Sequence, residues 1–387
     1  MSKITIITGT RADFGLLKPL MEAIHHHPDY YLQLVVCGMH LSPEFGSTIE
    51  EINKADLPIH KKIESLLSSD TAVGVTKSIG LAINSFAETF EELSPDLLLI
   101  LGDRSEMLAA ATAGMIANIP IAHLHGGETT EGAYDEAIRH AITKMSYWHF
   151  TATEIYRKRI VQLGEHPKRV FNVGAIGLDS IKNLKLLGKH EFEKKIKFKL
   201  GRKNILVTYH PVTLENDSAQ DHFKEILGAL SNLEDTHIIF TYANADKNGR
   251  IINRMIENFV EENSQQSIAF PSLGQHLYFS AIEFMDVVLG NSSSGIIEVP
   301  YFNIPSINIG ERQKGRVAPK SVIHTQPETG NILEAIKKAY SKEFLADIQN
   351  QEQVYGDGKT VKRIMQVINS MKSKDTKKLF YDISFEI

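Results

Sequence analysis

Cysteine is nearly missing from this sequence, with one among 387 residues. A single cysteine excludes a framework of intramolecular disulfides and suits a reducing compartment, so the fold depends on its packed core. Cys37 ends an apolar run that begins at Leu34. In such a run a small buried hydrophobic side chain is expected, and a nucleophile is not.

The sequence also lacks long apolar runs and long basic runs. No window approaches the ~18 uninterrupted apolar residues of a membrane span. The N-terminus enters a strand-like run at Ile4, which leaves no room for a signal peptide. The formal net charge is −5, and no block of Lys and Arg is long enough for a nucleic-acid footprint. We therefore expect a cytoplasmic protein that binds neither nucleic acid nor membrane.

What is present is an alternation of short β-branched runs with longer amphipathic stretches, which predicts parallel sheets with crossover helices. The chain length fits two α/β domains, and a second set of strands begins after a charged segment near residues 181–202. A final amphipathic stripe over residues 361–368 predicts a helix. The predicted strands cover residues 4–8, 32–37, 97–101, 119–123, 170–173, 205–209, 238–241, 287–289 and 306–309.

Two doubly wound domains place a ligand cleft at the carboxyl ends of their strands, so polar residues after strands are the candidates for function. The first strand leads into Gly9-Thr10-Arg11-Ala12-Asp13-Phe14-Gly15, a turn that opens a helix. Backbone N–H groups at such a turn can hold an anion. Arg11 is either a clamp for a diphosphate or a surface arginine that caps a neighbouring loop.

The strands at 97–101 and 119–123 end in further polar residues. Asp103 is either a helix N-cap or a catalytic carboxylate, and Arg104 beside it favours function. His123 and His125 share a face at strand spacing, but no companion set of ligands follows, so we expect no metal. Glu128 comes shortly after His125.

Asp135 and Arg139 are spaced for pairing on one helix face. The pair is either a plain helix salt bridge or a carboxylate held in position beside Glu128 and His125. Carboxylates and histidines in one cleft push pKa values apart and so provide an acid and a base. The sequence thus predicts a catalytic cluster in the first domain.

The second domain has its own strand-end motifs. His210 follows the strand at 205–209, and a Gly/Ser loop with Ser292 and Ser293 follows the strand at 287–289. The loop is expected to open a helix that holds phosphate oxygens, with Glu298 a full turn inside it, where it can accept ribose hydroxyls. Arg312 adds a cation after the strand at 306–309.

Together these motifs resemble the UDP-N-acetylglucosamine 2-epimerases over nearly the whole chain. The resemblance is strongest to the hydrolysing members that begin sialic acid or legionaminic acid synthesis in bacteria. Reversible, non-hydrolysing relatives have Lys where this chain has Leu16, which favours the hydrolysing branch. The motifs that carry it are Gly9-Thr10-Arg11-Ala12-Asp13, Gly102-Asp103-Arg104, His125-Gly126-Gly127-Glu128, Ile138-Arg139-His140, His210-Pro211, Gly290-Asn291-Ser292-Ser293 and Glu298.

The resemblance implies a GT-B-like fold of two Rossmann-like domains with a central cleft. The first domain covers residues 1–180 and is completed by a C-terminal helix at 360–387, and the second covers 181–359. It implies no cofactor, and a homodimer or homotetramer is expected, with Ile79, Ile83 and Phe86 as candidates for the contact face. The implied substrate contacts are Arg11, Gly15, Arg104, Arg139, His210, Asn244, Ser292, Ser293, Glu298 and Arg312; the residues implied near the chemistry are Asp103, Glu128, Asp135, His210 and His125.

In such enzymes the bond from C1 to UDP breaks, C2 loses its proton to give a glycal, and water adds from the other face. The expected substrate is UDP-N-acetylglucosamine, which yields N-acetylmannosamine; the alternative is UDP-N,N'-diacetylbacillosamine. Relatives often carry Glu in place of His125, so its role can have passed to His125 or Glu128. Two other classes stay open, a GT-B glycosyltransferase and a non-catalytic nucleotide-sugar sensor.

Overall fold

A computed structural model describes residues 1–42, 48–67, 71–130, 134–211, 219–243, 249–371 and 376–384. The chain forms two compact units. Unit 1 consists of Met1–Glu128, Tyr134–Lys182 and Tyr355–Ile387, and unit 2 consists of Thr129–Ala133 and Asn183–Val354. Asn244, one of the predicted substrate contacts, lies outside the described residues.

Thirteen strands occur in these described stretches. They include four that the apolar pattern missed, β3, β6, β10 and β13, because these are short and three of them are sheet edges with polar residues. The strands are β1 (Ser2–Thr8), β2 (Tyr30–Cys37), β3 (Ile59–Ile63), β4 (Leu97–Leu101), β5 (Ile121–Leu124), β6 (Trp148–Thr151), β7 (Val170–Asn172), β8 (Lys203–Thr208), β9 (Thr236–Thr241), β10 (Ser267–Phe270), β11 (Val287–Gly290), β12 (Ser306–Ile309) and β13 (Val322–Thr325).

The helices follow the strands as an alternating α/β pattern requires. They are α1 (Arg11–His25), α2 (Ile49–Asn53), α3 (Ala72–Leu93), α4 (Ser105–Ile116), α5 (Asp135–Met145), α6 (Glu154–Gln162), α7 (Gly177–Asn183), α8 (Lys189–Ile196), α9 (Ala219–Ser231), α10 (Gly249–Glu262), α11 (Gly274–Phe284), α12 (Ser294–Ile297), α13 (Thr329–Ala339), α14 (Lys342–Ile348) and α15 (Thr360–Ser370). Over the stretches that the structure describes, no helix combines the length and the apolar character needed to cross a membrane.

Unit 1 contains a parallel sheet in the order β3-β2-β1-β4-β5-β6-β7. Its central strands are apolar without alternation because helices cover both faces; all five residues of β4 are buried. Ile364 and Ile368 of α15 are buried in the same core as the residues of β1 and α1. The C-terminal helix is therefore part of unit 1.

Unit 2 contains a second parallel sheet in the order β10-β9-β8-β11-β12-β13. Its core is built from the same kinds of element, with apolar residues of β8 and β9 packed against α9, α10 and α13. Each unit thus has the Rossmann-like arrangement that the sequence predicts.

The face proposed for subunit contacts needs one correction. Phe86 is fully buried and stacks on Phe90 at a ring distance of 5.6 Å, so it belongs to the core of unit 1 and not to a surface. Ile79 and Ile83 are partly buried and pack against that same core. The apolar stripe of α3 therefore faces the core at Phe86.

Candidate active site

The predicted functional residues of unit 1 lie where the strand order reverses. β1 and β4 are neighbours, although β2 and β3 come between them in sequence. In an open parallel sheet this reversal leaves a crevice at the carboxyl ends of the two strands. The turns that begin at Gly9 and Gly102 leave the sheet at that point.

The turn after β1 is closed by its own side chains. Thr10 caps α1, and the carboxylate of Asp13 accepts the N–H groups of Gly9 at 2.9 Å and Thr10 at 2.7 Å. These two N–H groups, which were expected to be free for an anion, are therefore satisfied within the turn. Arg11 pairs with Glu51 at 2.8 Å and is 48% exposed, and the carbonyl of Gly15 accepts from Ser180 at 3.4 Å.

Arg139 joins the acidic residues of unit 1. Its side chain is 4% exposed and pairs with the Asp103 carboxylate. The same guanidinium donates to Glu136 at 2.8 Å and to the backbone carbonyl of Glu128 at 3.1 Å. Arg139 thus links Asp103 to the backbone of the Glu128 segment.

His125 and Glu128 form a hydrogen-bonded pair. His125 Nδ1 lies 2.8 Å from Glu128 Oε1, and both side chains are largely buried. The backbone N–H of Ile176 points at His125 Nε2 across 3.5 Å, which makes Nε2 an acceptor and assigns the ring proton to Nδ1. His125 has φ of 64°, a left-handed conformation that non-glycine residues adopt mostly at turns and functional sites.

Asp135 is the first residue of α5 and carries a perturbed carboxyl group. Burial raises the pKa of Asp135 above its ordinary value, and the negative charge of Asp103 raises it further. The positive charges of Arg104 and Arg139 act in the opposite direction. A raised pKa makes the Asp135 carboxylate a stronger base than an ordinary aspartate.

Two buried histidines of unit 1, His40 and His123, and one of unit 2, His210, are uncharged at neutral pH. Burial lowers the pKa of His123 to about 3, and its ring contacts the Gly102 carbonyl at 2.8 Å and Thr143 at 3.1 Å. Burial likewise lowers the pKa of His40 and of His210 to about 4 each. In the described part of the chain, no three His, Cys, Asp or Glu side chains come together as a metal ion would require.

In unit 2 the reversal of strand order lies between β8 and β11. Gly290 has φ of 145°, and a Cβ there would lie 1.9 Å from the Thr208 carbonyl oxygen, so only glycine allows this approach of the strands. The side chain of Asn291 accepts the N–H of His210 and donates to its carbonyl, each at 2.7 Å. His210 is thereby held at the end of β8.

The backbone carbonyl of Asn291 receives two further donors. Arg312 Nη1 lies 3.0 Å from it and Gln313 Nε2 lies 2.8 Å from it. The Arg312 charge contributes, after burial, to the low pKa of His210. Arg312, His210 and the loop that begins at Gly290 therefore form one connected cluster in unit 2.

The helix expected after the Ser loop is shorter than predicted. Ser292 and Ser293 precede α12, which has only four residues, and Glu298 is its C-cap and not a residue one turn inside. A 3₁₀ turn from Val299 to Phe302 follows, with Pro300 at its start. Proline has no N–H to continue an α-helix, which explains the early end.

Two residues of unit 2 interact with the predicted site residues or their loop, although the sequence did not mark them as candidates. Burial raises the pKa of Tyr278 to about 12, and the Glu298 charge adds to this shift. Tyr278 lies within α11. An aromatic residue in a helix is usually part of the hydrophobic core, so no local pattern in the sequence indicates a role in a site. Gln313 stands beside Arg312 and has no distinctive local signal either.

Comparison with known proteins places this chain in a family. The sequence profile described as UDP-N-acetylglucosamine 2-epimerase matches residues 22–369. The "GDP/UDP-N,N'-diacetylbacillosamine 2-epimerase (hydrolyzing)" of Campylobacter jejuni is 45% identical over 342 residues, which cover 88% of each chain. A "UDP-N-acetylglucosamine 2-epimerase" of Neisseria meningitidis serogroup B is 35% identical over 96% of each chain.

A solved structure shows the same fold. It is the UDP-GlcNAc 2-epimerase from Neisseria meningitidis bound to UDP-GlcNAc, and it matches with a TM-score of 0.81 at 19% identity. The match covers 96% of this chain and 100% of that one.

Proposed function

The chain belongs to the hydrolysing branch of the UDP-N-acetylglucosamine 2-epimerase family and is an enzyme that inverts carbon 2 of a UDP-linked sugar; we propose that its preferred substrate is UDP-N,N'-diacetylbacillosamine. The 45% identity to the Campylobacter jejuni protein supports this preference. The 35% identity to the Neisseria meningitidis protein keeps UDP-N-acetylglucosamine as the second candidate. Either product is a precursor for a sialic-acid-type sugar, legionaminic acid in the first case.

The reaction that we propose is balanced without a cofactor. Cleavage of the C1–O bond releases UDP, the C2 proton leaves with a base, and the unsaturated sugar then takes up the elements of water. The hydroxyl group goes to C1 and a proton goes to the opposite face of C2. The enzyme must therefore supply a base, an acid and stabilisation of the leaving diphosphate.

Asp135 is our candidate for the group that takes the C2 proton. The cluster around Arg139 carries this proposal, because the Asp103 carboxylate is engaged by that guanidinium whereas Asp135 has a raised pKa. Asp103 then holds Arg139 and raises the proton affinity of Asp135. A carboxyl group tuned in this way contributes ~10²–10⁴-fold to the rate of a proton transfer.

His125 and Glu128 are our candidates for the acid that returns a proton to C2 during hydration. In this proposal the protonated Glu128 carboxyl group gives its proton to C2, and the His125 Nδ1–H, 2.8 Å from Glu128 Oε1, stabilises the carboxylate that is left. A histidine takes this position in place of the Glu that the resemblance implies for relatives. The pair therefore replaces a single carboxyl group.

Stabilisation of the leaving UDP is assigned to the remaining predicted residues. Arg11, Gly15, Arg104 and Arg139 are proposed for unit 1, and Asn244, Ser292, Ser293, Glu298 and Arg312 are proposed for unit 2. His210 is neutral at pH 7 because its pKa is about 4, so it serves as a hydrogen-bond donor and not as a cation. A dianionic diphosphate beside it would raise that pKa.

The decisive experiment is proton NMR of the reaction in deuterated water with nucleotide sugar and no acceptor. We expect free 2-epimerised sugar with deuterium at C2 and an equal amount of UDP. A glycosyltransferase would give no such product without an acceptor, and a sensor would release no UDP. A product that retains its C2 proton would contradict the mechanism.

The substrate preference is tested separately. We expect kcat/KM for UDP-N,N'-diacetylbacillosamine to exceed that for UDP-N-acetylglucosamine by at least about tenfold, as a contact to the second acetamido group would give. The reverse order would make UDP-N-acetylglucosamine the substrate without affecting the reaction type.

Assembly and location complete the proposal. A homodimer or homotetramer is supported by apolar side chains on the surface of α3 and α4, of which Leu81 is 45% and Ile116 is 73% exposed. Light scattering of the purified protein tests this. A cytoplasmic location is supported by the single, buried Cys37.

A further inference from the structure

Glu106, which the sequence analysis did not single out, is buried at the strand ends of unit 1. It is the second residue of α4 and is 6% exposed. A carboxylate in the first turn of a helix ordinarily stabilises the helix dipole from an exposed position. Burying such a charge is costly unless it has partners, so the partners of Glu106 indicate why it is there.

The partners of Glu106 are its neighbours in sequence. Arg104 Nη2 lies 3.4 Å from Glu106 Oε1, and the Ser105 hydroxyl donates to Oε2 at 3.2 Å. The two ion-pair partners differ in exposure, because the Arg104 side chain is 45% exposed and that of Glu106 only 8%. The buried Glu106 thus contacts a guanidinium whose side chain remains half-exposed, and the same Nη2 also lies 3.5 Å from Met39 Sδ.

Two glycines lie close against the Glu106 carboxylate. A Cβ at Gly38 would lie 2.6 Å from Glu106 Oε1, and one at Gly9 would lie 3.3 Å away. These two glycines follow β2 and β1, so the turns after two strands close on a side chain from the first turn of α4. A carboxylate confined in this way fixes the position of whatever it pairs with.

We propose that Glu106 is a positioning residue that holds Arg104 in the orientation in which it contacts the diphosphate of the substrate. This inference rests on the proposed function, since Arg104 is assigned to the diphosphate there. The alternative role, stabilisation of α4 alone, predicts an effect on stability but none on UDP binding.

The test is a double-mutant cycle on UDP affinity, measured by isothermal titration calorimetry. Glu106→Gln keeps the shape of the side chain and removes its charge. We expect it to raise the dissociation constant of UDP about 10- to 100-fold, the loss expected when one hydrogen bond between two charged groups is no longer made. In an Arg104→Ala background the same change is expected to have no further effect, because Glu106 acts through Arg104.

Glu154→Gln is the matched control. Glu154 is also a first-turn acid, on α6, and pairs with Arg157 at 3.0 Å, but it is exposed. It should leave UDP affinity unchanged. If Glu106→Gln does not fold by circular dichroism, Glu106→Asp replaces it, and a dissociation constant at least fivefold above that of the wild type is then expected.

Unchanged UDP affinity in the folded variant, or a full further loss in the Arg104→Ala background, overturns the proposal. The result of this binding cycle does not depend on whether the proposed reaction is correct. A wild type that binds UDP but forms no 2-epimerised sugar would refute the reaction and still leave the cycle on Arg104 decisive.

Discussion

Arg139 is the residue on which the candidate chemistry of unit 1 depends. Its buried guanidinium binds the Asp103 side chain, the Glu136 side chain and the Glu128 backbone. The helix spacing predicts Asp135 as its partner; these three contacts are made by Asp103 and Glu128 from other segments and by Glu136, which follows Asp135 in α5. The acids near it are therefore not equivalent, because one is paired and another, Asp135, has a raised pKa.

This difference predicts the behaviour of Asp135→Asn. The variant keeps the size of the side chain, so UDP binding should be unchanged within about twofold, whereas turnover should fall ~10²–10⁴-fold because a proton-transfer group is lost. Calorimetry with UDP and NMR of the product measure the two effects. Full activity would remove Asp135 from the mechanism.

Gly38 is a second site where one residue decides local geometry. It has φ of 59°. A Cβ at this position would lie 2.6 Å from Glu106 Oε1, which is closer than the two atoms can approach. Gly38→Ala should destabilise unit 1 by about 1–3 kcal/mol, because the strained backbone and the clash add. Urea unfolding followed by the fluorescence of Trp148, the single tryptophan, measures this.

Gly80→Ala is the control for that substitution. Gly80 lies within α3 and has open space around its Cα, so alanine should stabilise the helix by about 0.5–1 kcal/mol. Equal effects of the two substitutions would show that the contact with Glu106 has no role in stability.

At the scale of elements, the segment at 376–384 is fastened to unit 1 by a buried carboxylate. Glu165 is 1% exposed and accepts from Lys144 at 2.6 Å, from Lys378 at 2.8 Å and from His149 at 3.2 Å. Burial alone would raise the pKa of Glu165, but these three donors outweigh it and lower the pKa to about 2. Lys144 lies in the last turn of α5, the helix that begins with Asp135, so the C-terminal segment and this helix share one buried carboxylate.

Lys378→Met should therefore reduce the stability of unit 1. The change removes two hydrogen bonds of Lys378, to Glu165 and to the Ser146 carbonyl, and the one to the charged, buried Glu165 alone costs about 1.5–3 kcal/mol. Lys362→Met on the exposed face of α15 should cost less than about 0.5 kcal/mol. Thermal unfolding of the two variants, followed by Trp148 fluorescence, compares them; equal melting temperatures would mean that Lys144 and His149 satisfy Glu165 alone.

At the scale of the whole molecule, buried neutral histidines make the stability of unit 1 depend on pH. His40 and His123 have folded-state pKa values of about 4 and about 3, below the value of 6.5 for an unperturbed histidine. As the pH falls below about 6.5 the unfolded chain binds protons at these positions and the folded chain does not. The stability that these two histidines contribute is thus present above pH 6.5, and it is lost progressively as the pH falls towards 4.

Between pH 6.5 and pH 5 each of the two histidines should lower the free energy of unfolding by up to about 2 kcal/mol. Urea titrations monitored at Trp148, which lies in β6 of unit 1, measure this loss. His123→Asn should reduce the slope of the free energy of unfolding against pH by roughly 1.4 kcal/mol per pH unit. An unchanged slope in that variant would assign the pH dependence to other groups.

The sequence by itself determined the Rossmann-like class and the strand-end motifs. Central strands such as β4 are marked by unbroken apolar runs, and helices such as α15 by their periodicity. Both are local patterns that the backbone geometry of strands and helices imposes. The edge strands β3 and β13 escaped this reading, because an edge strand is buried on fewer sides and carries polar residues.

Only the tertiary structure decided which of the polar residues meet. The contact of Arg139 with Asp103 spans 36 residues, and that of His210 with Asn291 spans 81. Such contacts follow from the order of strands in the sheet, and no local spacing encodes that order. For the same reason Glu106 reads as an ordinary first-turn acid until Gly9 and Gly38, from two other strand ends, are seen to enclose it.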